Sequence, residues 1–224
     1  MNKQNVSAFS RGAESVLATN KVLRNTYILL GMTFLFSAVM AFVSVTSGVT
    51  SLNPLFFIVG AYGLMFLTHA LQNSTWGIAA VFAFTGFMGY ALGPVLNACI
   101  AQFHNGPQII ATAFGGTGII FFGLSAYALM TRKNFNYLAG FLFAAMMVAM
   151  LAIIASIFFP MPALQLMISA AFMLISSGLI LFQTSEIIHG GQTNYIAATV
   201  SLYVSIYNLF ISLLNLLSAF SNRD

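Results

Sequence analysis

The chain has 224 residues, of which 60% are hydrophobic and only 4% charged, with a formal net charge of +4. So few ions cannot cover a water-soluble domain of this size, which would expose wide apolar patches and aggregate. A soluble enzyme is excluded on that ground, and so is an extended nucleic-acid-binding patch; the solvent implied is lipid.

A helix of about 20 apolar residues crosses a hydrocarbon core of about 30 Å. Only helices and closed barrels span lipid, because lipid cannot satisfy backbone polar groups. Barrel strands would alternate apolar and polar residues over about 10 positions. The runs here are continuously apolar instead. Seven predicted spans follow in chain order: Asn25–Ser47, Pro54–Ala70, Thr75–Ile100, Pro107–Met130, Asn136–Phe159, Pro162–Ile188 and Asn194–Phe220. Short connections separate them, four of the six with breakers: Asn53-Pro54, His104-Asn105-Gly106-Pro107, Pro160-Met161-Pro162 and Gly190-Gly191. The expected organisation is a polar tail over residues 1–24, a seven-helix domain over 25–220 and a short C-terminus over 221–224. The tail is too long and polar for a cleavable signal peptide, so the first span reads as a signal anchor.

Orientation follows from the cations. Lys3, Arg11, Lys21 and Arg24 precede span one, and Arg132 and Lys133 lie between spans four and five. A seven-span arrangement puts both segments on one side and only Arg223, beside Asp224, on the other. This asymmetry predicts a cytoplasmic N-terminus and an external C-terminus, which is periplasmic if the membrane is a bacterial inner one.

Polar residues inside the spans are the candidates for function. Gly86, Gly89 and Gly93 share one face of span three, and small residues let a neighbouring helix approach closely. Pro94 follows and is expected to kink or open that helix. Gly115, Gly116, Gly118 and Gly123 in span four invite the same packing argument. Span seven carries Ser201, Ser205, Asn208, Ser212 and Asn215, spaced four, three, four and three, hence on one stripe. A polar stripe should face protein or water, which makes helix seven the central one. It either bonds to neighbouring helices or lines an ion path.

At the end of span six, Gln183, Glu186 and His189 are spaced by three. Glu186 is the sole acid between Glu14 and Asp224. A carboxylate at the bilayer boundary pairs with a donor or takes up a proton, and an adjacent imidazole allows a pH-responsive latch. The bland alternative is an interfacial Glu and His meeting water.

No cofactor is implied, and no metal site: the lone Cys99 and the dispersed His69 and His104 make no ligand constellation. The motifs of hydrolases and zinc proteases are absent, and no span holds the Lys or Asp that Schiff-base or aspartyl chemistry needs. No small-molecule substrate is evident. The chain reads as a non-enzyme.

Three segments go further: KVLRNTYILLGMTFLFSAV in span one, AFTGFMGYALGPVLN in span three, and QTSEIIHGGQTNYIAATVSLYVSIYN across spans six and seven. Together they resemble the bacterial Bax inhibitor-1 family, and within it the branch that modulates the FtsH membrane protease. The resemblance implies an all-α integral membrane protein, a seven-transmembrane-helix bundle with helix seven central, resident in the bacterial inner membrane. It also implies a regulator that binds an FtsH-type AAA protease and its regulatory complex and inhibits degradation of other membrane proteins, a role in protein quality control. Calcium-leak members of the family carry an aspartate pair on helices six and seven that acts as a pH-sensitive latch. Here Gln183 and Ser205 stand at those positions. Neither holds a charge, although they could bond to each other. A pH-sensitive calcium or proton leak, with Glu186 as partial substitute, is therefore the weaker alternative.

Overall fold

A computed structural model of the chain describes residues 3–221, with side chains from residue 21 onward. It contains seven helices: α1 (Lys3–Thr46), α2 (Pro54–Leu71), α3 (Trp76–Gln102), α4 (Gly106–Thr131), α5 (Leu138–Phe158), α6 (Pro162–Ile188) and α7 (Tyr195–Ser221). All seven are long and apolar enough to cross a membrane, and in α1 the qualifying stretch is Lys21–Thr46. Even the 18-residue α2 spans about 27 Å at 1.5 Å per residue.

Most span boundaries fall within a residue or two of those predicted, because Pro and Asn start these helices for local reasons. The Asn53 side chain accepts from the Leu55 and Phe56 amides at 2.9 and 3.4 Å and so caps α2. Pro54, Pro107 and Pro162 sit in first turns, where no amide hydrogen is needed. The backbone is helical from Lys3, so residues 3–24 of the expected polar tail run into α1 without a break. Arg223 and Asp224 lie outside the described residues.

The bundle is arranged around α7, which packs against α1, α2, α3, α4 and α6. Only α5 is not in contact with it; α5 leans on α6. Burial agrees: half of each span window of α3 and α7 is buried, against 6% for α2 and 11% for α5. The main core joins Leu202, Tyr203, Ile206 and Leu209 of α7 to Leu30, Val81, Phe84 and Ile180. A smaller cluster at the opposite end from Arg132 and Lys133 joins Phe210 and Leu214 to Cys99, Ile109 and Ala113. The Cys99 thiol is buried there, 3.8 Å from the Ser218 hydroxyl.

Glycine has two different roles. A Cβ on Gly86 would meet the Phe36 ring, on Gly89 the Ser37 backbone and hydroxyl, and on Gly93 the Ser44 side chain. These three glycines therefore create the close α1–α3 seam. The glycines of α4 do not repeat it. Gly115, Gly118 and Gly123 face open space, and Gly116 meets only a Leu213 methyl at 3.7 Å. The buried face of α4 is instead Ala113, Thr117, Phe121, Ser125 and Ala128. Spacing alone could not choose between the two faces of so uniformly apolar a helix.

Candidate functional site

The residues singled out at the end of α6 converge where α6 turns into α7. The turn is fixed by its own backbone. The Gly191 amide donates to the Glu186 carbonyl at 2.9 Å and the Gly190 amide to the Ile187 carbonyl at 3.3 Å, with Gly190 at φ +74°. That pair of bonds terminates the helix, and the left-handed residue it requires is a glycine. Gly191 also leaves room for an acid: a Cβ there would stand 3.3 Å from Glu186 Oε1. The Glu186 carboxylate, half-buried, makes no hydrogen bond or ion pair among the described residues.

His189 is exposed and ties two elements together. Its Nδ1 lies 2.8 Å from the Ser185 carbonyl and its Nε2 3.1 Å from the Arg132 carbonyl. A neutral imidazole donates from only one ring nitrogen, whereas the imidazolium donates from both. The protonated ring thus satisfies both carbonyls at once. Ser185 strengthens the same link, with its hydroxyl donating to the Lys133 carbonyl and accepting from the Phe135 amide, both at 3.1 Å. The α4–α5 connection is in this way fastened to the last turn of α6.

One turn earlier, Gln183 and Ser205 meet. The Ser205 hydroxyl lies 3.1 Å from Gln183 Oε1 and 3.1 Å from the Ser201 carbonyl. A hydroxyl has one proton for two acceptors. Rotating the amide by half a turn lets Gln183 donate to Ser205 while Ser205 donates to Ser201, which satisfies all three. This is an uncharged link between α6 and α7.

The stripe on α7 is less uniform than its spacing suggests. Ser205 and Ser212 are buried, Ser201 and Asn208 half-buried, and Asn215 is exposed. The Ser212 hydroxyl donates to the Asn208 carbonyl at 2.7 Å within its own helix. Asn215 instead lines a cleft of about 490 Å³ between α3 and α7, with Pro94, Gln102 and Ser218. Pro94 lies inside the continuous α3. The stripe therefore does not run as one buried track, since a cleft lined by α3 and α7 opens beside Asn215.

Three polar contacts were invisible to motif reading. Tyr203 is buried on α7, its hydroxyl 2.6 Å from the Ser37 hydroxyl on α1 and 3.2 Å from the Thr85 carbonyl on α3. Asn194 accepts from the Ile196 and Ala197 amides, capping α7. Its amide also donates to the Gln72 carbonyl at 3.0 Å and to Asn73 at 2.9 Å, reaching the α2–α3 connection. Asn before an apolar run is a legible cap signal, but nothing in the sequence names its distant partners. Tyr27 approaches Thr184 at 3.5 Å across α1 and α6.

Chemically, the site offers hydroxyls, amides, one imidazole and one carboxylate. No group of three metal-binding side chains occurs among the described residues.

The comparisons with known proteins agree with this architecture. The family model described as "Inhibitor of apoptosis-promoting Bax1" matches residues 19–222. The modulator of FtsH protease YccA of Escherichia coli K12 is 53% identical over 215 residues, covering 96% of this chain and 97% of that protein. An uncharacterized protein of Pseudomonas aeruginosa is 52% identical over 203 residues, 91% of each chain. An uncharacterized membrane protein of Vibrio cholerae is 43% identical over 223 residues, 98% of this chain and the whole of that one. With the family match running through all seven spans, the chain belongs to the Bax inhibitor-1 family.

Proposed function

We propose that this protein binds an FtsH-type membrane protease, together with its regulatory complex, and restrains degradation of other membrane proteins. The observation that carries the reading is the full-length 53% identity to a protein named as a modulator of that protease. In the proposed setting the bundle resides in the bacterial inner membrane. Its N-terminus and the Arg132–Lys133 connection are cytoplasmic, in keeping with the cation asymmetry. The role is regulatory rather than enzymatic. Polar cross-links between helices would make the bundle resist extraction by an ATP-driven puller, and the polar segment over residues 1–19 would give that puller its hold. Because the backbone is helical from Lys3, this hold would have to unwind before threading.

The test is affinity purification of the full chain in mild detergent, with turnover of a membrane-protein client followed in parallel. The protease should co-purify, and the client should persist longer when the chain is abundant. Failure to recover the protease would remove the reading. Deleting residues 1–19 should slow turnover of the chain itself at least about twofold, since the initiation site is gone, while co-purification persists. Unchanged turnover would refute the hold.

The leak-channel alternative has less support here, because Gln183 and Ser205 share a hydrogen bond but no titratable proton.

A further inference from the structure

Among the described residues, α1 and α4 both pack on α6 and α7, while their own backbones stay apart and meet through side chains. A cleft of about 220 Å³ remains between them at the end that carries Arg132 and Lys133. Its walls are Leu23 and Tyr27 of α1 and Leu129 of α4, and Arg24 stands on its rim. The Tyr27 and Phe121 rings stack across the gap with centroids 6.0 Å apart. The lining is apolar except for that one guanidinium.

Further cations lie close by. Lys21 is three residues before Arg24, on the same face of α1. Arg132 follows Leu129 by three residues, in the left-handed conformation that ends α4. Its backbone is held there by His189, and that of Lys133 by Ser185. All four cations are exposed, and none has an ion-pair partner among the described residues. An apolar slot open to the bilayer, mouthed by unpaired cations at headgroup depth, fits one class of ligand.

We propose that this cleft is a binding site for an anionic phospholipid of the adjoining leaflet. The headgroup phosphate sits among Arg24, Lys21 and Arg132, and an acyl chain fills the slot against Tyr27 and Leu129. Basic pockets between helices on the cytoplasmic side bind such headgroups, and arginine forks match phosphate oxygens. A soluble acidic peptide would meet the same charges but has no use for the slot. This site does not depend on the protease reading.

The test is native mass spectrometry of the full chain in detergent. It is titrated with phosphatidylglycerol, with phosphatidylcholine of the same acyl chains, and with inorganic phosphate. Phosphatidylglycerol should be retained at least about tenfold more tightly than phosphatidylcholine, and inorganic phosphate should not displace it at equal concentration. The double substitution R24Q/R132Q should weaken phosphatidylglycerol about tenfold or more, as loss of two surface cations implies. Leu129→Trp, which fills the slot, should weaken it without that charge change. Equal retention of the two lipids by the unsubstituted protein would overturn the site and needs no variant to fold. Displacement by inorganic phosphate, or tight capture of an acidic peptide without lipid discrimination, would overturn it too.

Discussion

The α1–α3 seam and the α6–α7 turn hold helices together in opposite ways. At the seam, side chains are removed: Gly86, Gly89 and Gly93 let α1 come so close that Ser37 and Ser44 fill the space of a Cβ. At the turn, side chains are added: Gln183, Ser185, His189 and Asn194 reach across to other elements by hydrogen bonds of 3.0–3.1 Å. Lipid gives apolar helices no hydrophobic reason to associate, so contact density and interhelical hydrogen bonds must do it. The seam uses the first and the turn the second. The seam should consequently tolerate no enlargement, whereas the turn should lose stability in small steps.

The sharpest way to break this contrast is to add volume at the seam. Gly89→Leu would drive a side chain into the Ser37 backbone, which cannot rotate away. It should cost about 3 kcal/mol or more, read as loss of folded protein in mixed-micelle unfolding. Gly115→Leu on α4 faces open space and should change stability by less than about 0.5 kcal/mol. Equal effects of the two would erase the distinction. Next in size is Tyr203→Phe, which takes away the hydroxyl between Ser37 and Thr85 where α1, α3 and α7 meet. A loss of about 1–2 kcal/mol in the same assay is expected, and a neutral result would mean that packing alone holds the centre. The smallest effect belongs to the turn. A double-mutant cycle of Gln183→Ala and Ser205→Ala should give a coupling of about 0.6 kcal/mol, the usual size of one interhelical hydrogen bond in a membrane. A coupling of several kcal/mol would show that the turn, not the seam, locks the bundle.

How much of this was legible beforehand differs by residue. Gly86, Gly89 and Gly93 were readable as a packing face, and the structure supplies α1 as the neighbour. Gly115, Gly118 and Gly123 carried the same signal, yet they face away from the bundle. Gln183 and Ser205 could be paired only through the family resemblance, which places them where calcium-leak members carry an aspartate pair; their spacing alone does not join them. Ser185 and Tyr203 could not, since their partners lie 52 and 166 residues away in sequence, at Lys133 and Ser37. Asn215 shares the stripe by its spacing, and the structure adds that it lines the cleft beside Pro94.

The sequence by itself determined the number of spans, their ends and the uneven distribution of cations. Each depends on a local quantity: the length of an apolar run, a Pro or Asn that starts a helix, a charge that lipid refuses. Only the tertiary structure decided which polar face meets which partner and where helices part to leave clefts. A 3.6-residue repeat fixes the residues that share a side, while the identity of the neighbour on that side is settled by packing of the whole bundle at once.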